Sequence, residues 1–89
     1  MNKLVLIEKV IKHYSEATAI KMLSCLIYNA DEDFEVHMSY SELVETVGKD
    51  KRTIYRYIKA LKEQQLIDVT KLNRRNVYHL NIDNIDKLA

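Results

Sequence analysis

The chain has no proline and no tryptophan, one glycine (Gly48) and one cysteine (Cys25) in 89 residues. So little glycine and proline excludes an architecture of many tight turns and favours helices. A lone cysteine forms no internal disulfide, which predicts a reducing compartment and a cytoplasmic protein. No run of 18 apolar residues is present, so no membrane span is expected. The opening MNKLVLIEKVIKHY is interrupted by Glu8 and Lys9 and lacks a small-residue cleavage site, so it does not read as a signal peptide. No glycine-rich phosphate loop occurs. His13, His37 and His79 are scattered, and none stands at metal-ligand spacing from Cys25. Asp31, Glu32, Asp33 and Glu35 lack the glycine and final glutamate of a calcium loop and read as a solvated acidic loop. The sequence therefore predicts no enzyme, no metal and no cofactor.

The length fits one domain over residues 1–89, and 47% of residues are hydrophobic, enough for one small core. A net charge of +1 conceals a strong polarity. Residues 49–79 carry nine Lys or Arg against three acids, a net +6; the rest carries five against ten, a net −5. Such asymmetry points to a nucleic-acid face, against the alternative of a lopsided solvated surface.

Periodicity orders the elements. Residues 3–14 place Leu4, Ile7, Val10, Ile11 and Tyr14 on one helical face, although Leu4–Ile7 alone also fits a strand. Ser15 stands as the N-cap of a second helix over 16–29, with Ala19, Ile20, Leu23, Leu26 and Ile27 inward and Cys25 as a core or boundary residue. Residues 35–38 fit a short strand. Ser39-Tyr40-Ser41-Glu42 fits a capping box, opening a helix that buries Leu43, Val44 and Val47. Gly48 follows the last apolar residue, where a left-handed helix end is needed. Asp50 is the next N-cap. The helix 51–65 turns Ile54, Tyr57, Ile58 and Leu61 one way, and Arg52, Tyr55, Arg56 and Lys59 within an arc of roughly 100° the other way. The period then changes to two. Ile67 and Val69, then Tyr78, Leu80 and Ile82, alternate with polar residues around a basic tip, Lys71 to Asn76. Residues 83–89 fit a helical turn with Ile85 and Leu88 inward.

The order is helix, helix, short strand, helix, helix, strand, strand: mainly α with a small β-hairpin. From Ala19 to Ile82 the chain resembles a winged helix-turn-helix DNA-binding domain, and MSYSELVETVGKDKRTIYRYIKALKEQQLI carries the pattern. The resemblance implies a helix-turn-helix over 39–65, a wing over 66–82, and double-stranded DNA as partner. A recognition helix fits the major groove with its first residues at base edges. Arg52 and Arg56, one turn apart, suit guanine; Tyr55 suits a phosphate or a thymine methyl. Lys51 and Thr53 lie in the first turn, where backbone amides also face phosphate. Lys59 and Lys62 are placed for the DNA backbone. Lys71, Arg74 and Arg75 supply a wing tip for the minor groove or flanking phosphates. Ser39 and Ser41 are placed to position a phosphate. Against these stand plainer readings: solvated arginines on the helix, packing tyrosines, a soluble hairpin turn.

The resemblance to small winged-helix domains implies a homodimer on repeated or palindromic sites. The stripe Leu4, Ile7, Ile11 and Tyr14 is its candidate surface, or else it completes the monomer's core. The leading segment, the helix over 16–29 and the strand VYHL also resemble the TubR-like centromere-binding adaptors of plasmid and phage partition systems. That resemblance implies a dimer on tandem repeats and a filament-forming GTPase as partner. In that family the recognition helices meet at the dimer interface. Lys51, Arg52 and Thr53 would then enter the groove, with Tyr55 or Lys59 turned to the partner. Replication-initiator domains, small transcriptional regulators and winged helices that bind only proteins fit the pattern as alternatives.

Overall fold

The computed structural model describes residues 2–88. Within them lie five helices and three strands: α1 (Lys3–His13), α2 (Ala17–Tyr28), β1 (Glu35–Val36), α3 (Tyr40–Val47), α4 (Lys51–Glu63), β2 (Ile67–Leu72), β3 (Arg75–Leu80) and α5 (Ile82–Asp86). The strands form one antiparallel sheet in the order β1-β3-β2. This is the winged helix-turn-helix arrangement: α3 and α4 are the two helices of the motif, and β2–β3 is the wing.

The local signals around α3 act as the sequence predicts. The Glu42 amide donates to Ser39 Oγ (3.1 Å), and the Ser39 amide donates to Glu42 Oε1 (3.0 Å), satisfying two orphan donors at once. Leu43 and Val47 are buried, and Val44 is half-buried. Gly48 ends the helix at φ +78°, its amide donating to the Val44 carbonyl. A Cβ there would meet nothing closer than Lys21 Nζ at 3.8 Å. The glycine therefore serves the backbone angle and not a tight contact. Two residues later Asp50 Oδ1 accepts from the Thr53 amide (2.8 Å) and starts α4. Ile54, Ile58 and Leu61 are buried, with Tyr57 packed against them.

Elsewhere the structure departs from expectation. The cap of α2 is Glu16, not Ser15, and its side chain makes no capping bond. Met22, Leu23, Leu26 and Ile27 are fully buried, so this helix is held by its packing. In α1 the core face is Leu6 and Val10, while Leu4 (73%) and Ile11 (54%) remain exposed and Ile7 and Tyr14 are half-buried. Two cations fix this rotation. Lys3 Nζ donates to the Tyr28 carbonyl (3.0 Å) and to that of Ala30, and Lys9 Nζ donates to the Asp86 carbonyl (2.7 Å) while pairing with its carboxylate (3.1 Å). Helix α4 stops at Glu63 because Gln65 takes φ +60°. Ile82 does not continue the strand alternation. Asn81 caps α5, its Oδ1 accepting from the Asn84 amide, and Ile82 opens the helix. Ile85 is fully buried and Leu88 packs against the core; Ala89 lies outside the described residues.

The sheet has an inner and an outer face. Val36, Ile67, Val69, Tyr78 and Leu80 turn toward the helices, with Tyr78 fully buried in the central strand. Glu35, Asp68, Thr70 and His79 lie on the outer face. Cys25 is buried in α2, and burial pushes its thiol pKa up, leaving it a core residue of low reactivity. No described helix is long and apolar enough to cross a membrane.

Candidate nucleic-acid interface

The outward side of α4 is formed by Arg52, Tyr55, Arg56 and Lys59, all exposed, with Lys51 at its start. Thr53 is half-buried, and its amide serves the Asp50 cap. The Asp50 pKa lies below the usual carboxylate range, mainly through its hydrogen bonds with Thr53 and also through the nearby Arg56 and Arg52. The cap therefore stays ionised at neutral pH. It holds the first turn without joining an ion pair with either arginine.

The wing stands beside one flank of this helix. Tyr55, Lys59 and Lys62 share a groove of about 430 Å³ with Lys71 and Asn76 of the wing and Tyr40 of α3. A second hollow, of about 240 Å³, joins Ser39 and Tyr40 to Lys71, Arg74 and Arg75. Tyr55, Lys59, Lys71, Arg74, Arg75 and Ser39 thus line two hollows that share Tyr40, Lys71 and Asn76. Arg52 and Arg56 fall on the outward and far flank of α4, and Arg56 lines a separate shallow hollow with Tyr57 and Ala60.

At the wing tip Asn73 (φ +51°) and Arg74 (φ +69°) make a two-residue turn with both residues left-handed. Such turns match the twist of the flanking strands and favour glycine at the second place. Arginine sits there instead, fully projecting its charge. Arg75 Nη2 lies 3.5 Å from Glu42 Oε1, so this cation is partly engaged by α3. Among the described residues it is the only one of the candidate cations in an ion pair.

Ser41 is exposed at the start of α3, whereas the hydroxyl and amide of Ser39 are both occupied by Glu42. Those hydrogen bonds with Ser39 hold the Glu42 carboxyl pKa below its ordinary range. A negative charge therefore sits where Ser39 was expected to offer an amide to phosphate. Lys71, Arg74 and Tyr55, singled out from the sequence, line these hollows together with Tyr40 and Asn76, which were not singled out. Asn76 Nδ2 donates to the Tyr78 hydroxyl (3.3 Å). Burial pushes the Tyr40 and Tyr78 hydroxyl pKa values up, with the neighbouring tyrosines adding to it, so both remain neutral donors. The pairing of Lys71 with Asn76 brings Asn76 to the groove, and the start of α3 brings Tyr40; no local signal carries either juxtaposition.

No family model matches the chain, and no curated protein sequence matches it. Solved structures do. NolR from Sinorhizobium fredii aligns with a TM-score of 0.63 at 16% identity, covering 96% of this chain and 78% of that one. The homodimeric winged helix-turn-helix DNA-binding domain of Mb0332 from Mycobacterium bovis, a possible ArsR-family transcriptional regulator, aligns with the same TM-score and identity, covering 96% and 72%. At this identity the likeness is one of fold, and the fold of this chain is the winged helix-turn-helix.

Proposed function

We propose that the protein is a sequence-specific double-stranded DNA-binding regulator of transcription, acting in the cytoplasm as a homodimer. The observation that carries this reading is the outward side of α4. Arg52, Tyr55, Arg56 and Lys59 are exposed together there, with Lys71 of the wing across a groove from Tyr55 and Lys59 and Arg74 beyond it at the wing tip. In this reading α4 enters the major groove. Arg52 and Arg56 meet base edges, and Lys51, Thr53, Ser41 and Lys59 meet phosphate. The wing follows the neighbouring minor groove or backbone, Arg74 more freely than the Glu42-bound Arg75. Tyr40 and Asn76 join them as lining of the groove between helix and wing, beside Lys62. The homodimeric DNA-binding domain among the similar structures supports the same assignment.

The choice between regulation and partition rests on where two copies meet. A dimer built on the recognition helices buries the outward side of α4, which here carries three cations and a single apolar side chain, Tyr55. Helix α1 instead exposes Leu4, Val5 and Ile11. Burying apolar surface is favourable, and burying unpaired cations is costly. The α1 face is therefore the better interface, leaving α4 free for DNA.

The test is selection of bound duplex from random and source-genome fragments, with footprinting and a salt titration. Binding should weaken steeply between about 50 and 200 mM salt, since several phosphates are contacted. A promoter palindrome supports the reading. Tandem repeats, and recruitment of a filament-forming GTPase to them, transfer it to partition. Absence of binding to any duplex at low salt makes the fold a protein-interaction module.

A further inference from the structure

The three histidines are scattered in sequence, but the sheet gathers two of them. Glu35 of β1 is the register partner of His79 of β3, and both point to the outer face. His37, two residues on from Glu35, shares that side of the chain. The loop after α2 then adds Asp31. Its Oδ1 accepts from the amides of Asp33 and Glu35, both at 2.9 Å, which leaves Oδ2 turned to His37. His37 Nε2 lies 3.5 Å from Asp31 Oδ2 and 3.7 Å from Glu35 Oε1. One ligand atom from each of Asp31, Glu35 and His37 lies within 4.8 Å of the others.

We infer that Asp31, Glu35 and His37 bind one divalent transition metal ion such as Zn²⁺, and that His79 is a positioning residue for Glu35. Metal–ligand bonds of about 2.1 Å set neighbouring ligand atoms of a tetrahedral site about 3.4 Å apart. The two contacts of His37 are close to that edge, and the two carboxylate oxygens, within 4.8 Å of each other, close onto an ion by rotation of exposed side chains. The separations also exceed those of good hydrogen bonds, so the imidazole faces two carboxylates without being closed onto either. Two amide donors keep Asp31 ionised, its pKa held below the usual range chiefly by the Glu35 amide.

The support behind Glu35 is a separate observation. His79 Nδ1 lies 3.1 Å from Glu35 Oε2, while its Nε2 lies 2.7 Å from Thr70 Oγ1. A carboxylate only accepts, so Nδ1 carries a proton toward Glu35; in the neutral ring Nε2 then accepts from the threonine hydroxyl. One carboxylate oxygen is thus anchored on the sheet and the other is free for an ion. This threonine–histidine–carboxylate chain has the form of the outer hydrogen bonds that orient metal ligands. One imidazole and two carboxylates suit a borderline transition ion and give Ca²⁺ or Mg²⁺ no advantage. His37 also lines a hollow with Asn73 and Arg75 of the wing tip; the inference does not depend on the DNA reading, because its test is made with the metal ion alone.

The test uses the full chain without a histidine tag. Zn²⁺ alone is titrated by calorimetry, with Ca²⁺ and Mg²⁺ alone as comparisons, while imidazole resonances are followed by NMR. One Zn²⁺ per chain is expected, shifting the His37 ring at concentrations that leave the exposed His13 ring unchanged. His37→Ala and Glu35→Gln should each weaken Zn²⁺ binding by at least about tenfold, and His79→Phe by about tenfold with the stoichiometry kept. Melting curves verify that the variants fold; the wild-type His37 and His13 signals decide the matter even if a variant does not. His13 and His37 shifting together, Ca²⁺ matching Zn²⁺, or a His37→Ala protein binding as the wild type does would each overturn the site. Unchanged affinity in His79→Phe would overturn the positioning role.

Discussion

Arg56 and Lys59 are near neighbours on the outward side of α4, yet the proposed interface gives them different work. A planar guanidinium makes two parallel hydrogen bonds to one guanine, whereas an ammonium acts as a point charge on phosphate. Arg56→Ala should therefore cost about 1–3 kcal/mol on the cognate duplex and relax preference at one base pair. Lys59→Ala should weaken all duplexes alike and make the slope of log K against log salt shallower by about 0.9. Fluorescence anisotropy over single-base variants of the site separates the two. A uniform loss for Arg56→Ala would reassign it to the backbone. The residues of the caps were legible in the sequence because capping is local: Ser39, Glu42, Gly48 and Asp50 each act within four positions of themselves. The same locality misled at Ser15, where packing made a capping bond unnecessary. His37 and His79 were illegible for the opposite reason. Their proximity depends on strand register, which no window of sequence contains.

At the level of elements, the wing and α3 yield two measurable consequences. The turn Asn73-Arg74 holds a non-glycine residue at φ +69°, at a cost of about 1–2 kcal/mol in backbone strain. Arg74→Gly relieves that strain but loosens the unfolded chain, for a net gain of up to about 1 kcal/mol. It also deletes an unpaired cation. The variant should thus melt higher while binding DNA less tightly and with a shallower salt slope, which separates stability from function. Unchanged DNA binding would remove the tip from the interface. In α3 the Glu42 carboxyl is held below its ordinary value of 4.5 by Ser39 and, less strongly, by Arg75. Its contribution to stability is complete above about pH 4.5 and disappears as pH falls through the depressed folded value. Glu42→Gln should flatten the dependence of the urea midpoint on pH in that window. Curves of equal slope would show that the capping carboxylate does not contribute. The helix-turn-helix could be read from sequence because its caps, glycine and apolar spacing agree. The facing of α1 could not, because its apolar residues span more than half the helix. Lys3 and Lys9, anchored 25 and 77 residues away, select Leu6 and Val10 for the core.

For the whole molecule, the polarity of charge and the polarity of apolar surface lie on different elements. The net +6 of residues 49–79 is carried on α4 and the wing. The exposed Leu4, Val5 and Ile11 belong to α1. In the proposed reading that separation leaves one face for DNA and another for a second copy. Helix α1 is 11 residues, about 16 Å long, too little to supply the roughly 800 Å² per partner of a stable interface. The neighbouring α5, tied to α1 through Lys9 and Asp86, is the element placed to extend it. Replacing Leu4 with Ser and Ile11 with Glu removes apolar surface from the ridge and adds like charges that meet across it. Because both side chains are exposed in the single chain, the fold should persist, with melting lowered only by the lost coupling to dimerisation and no longer dependent on protein concentration. Sedimentation should show a shift from dimer to monomer. Affinity should fall far more on a duplex with two half-sites than on one with a single half-site, since only the former gains from linked recognition helices. A persistent dimer would place the interface elsewhere, with the outward side of α4 as the alternative. In that case a charge-reversed Lys59 should break the pairing that the α1 substitutions left intact.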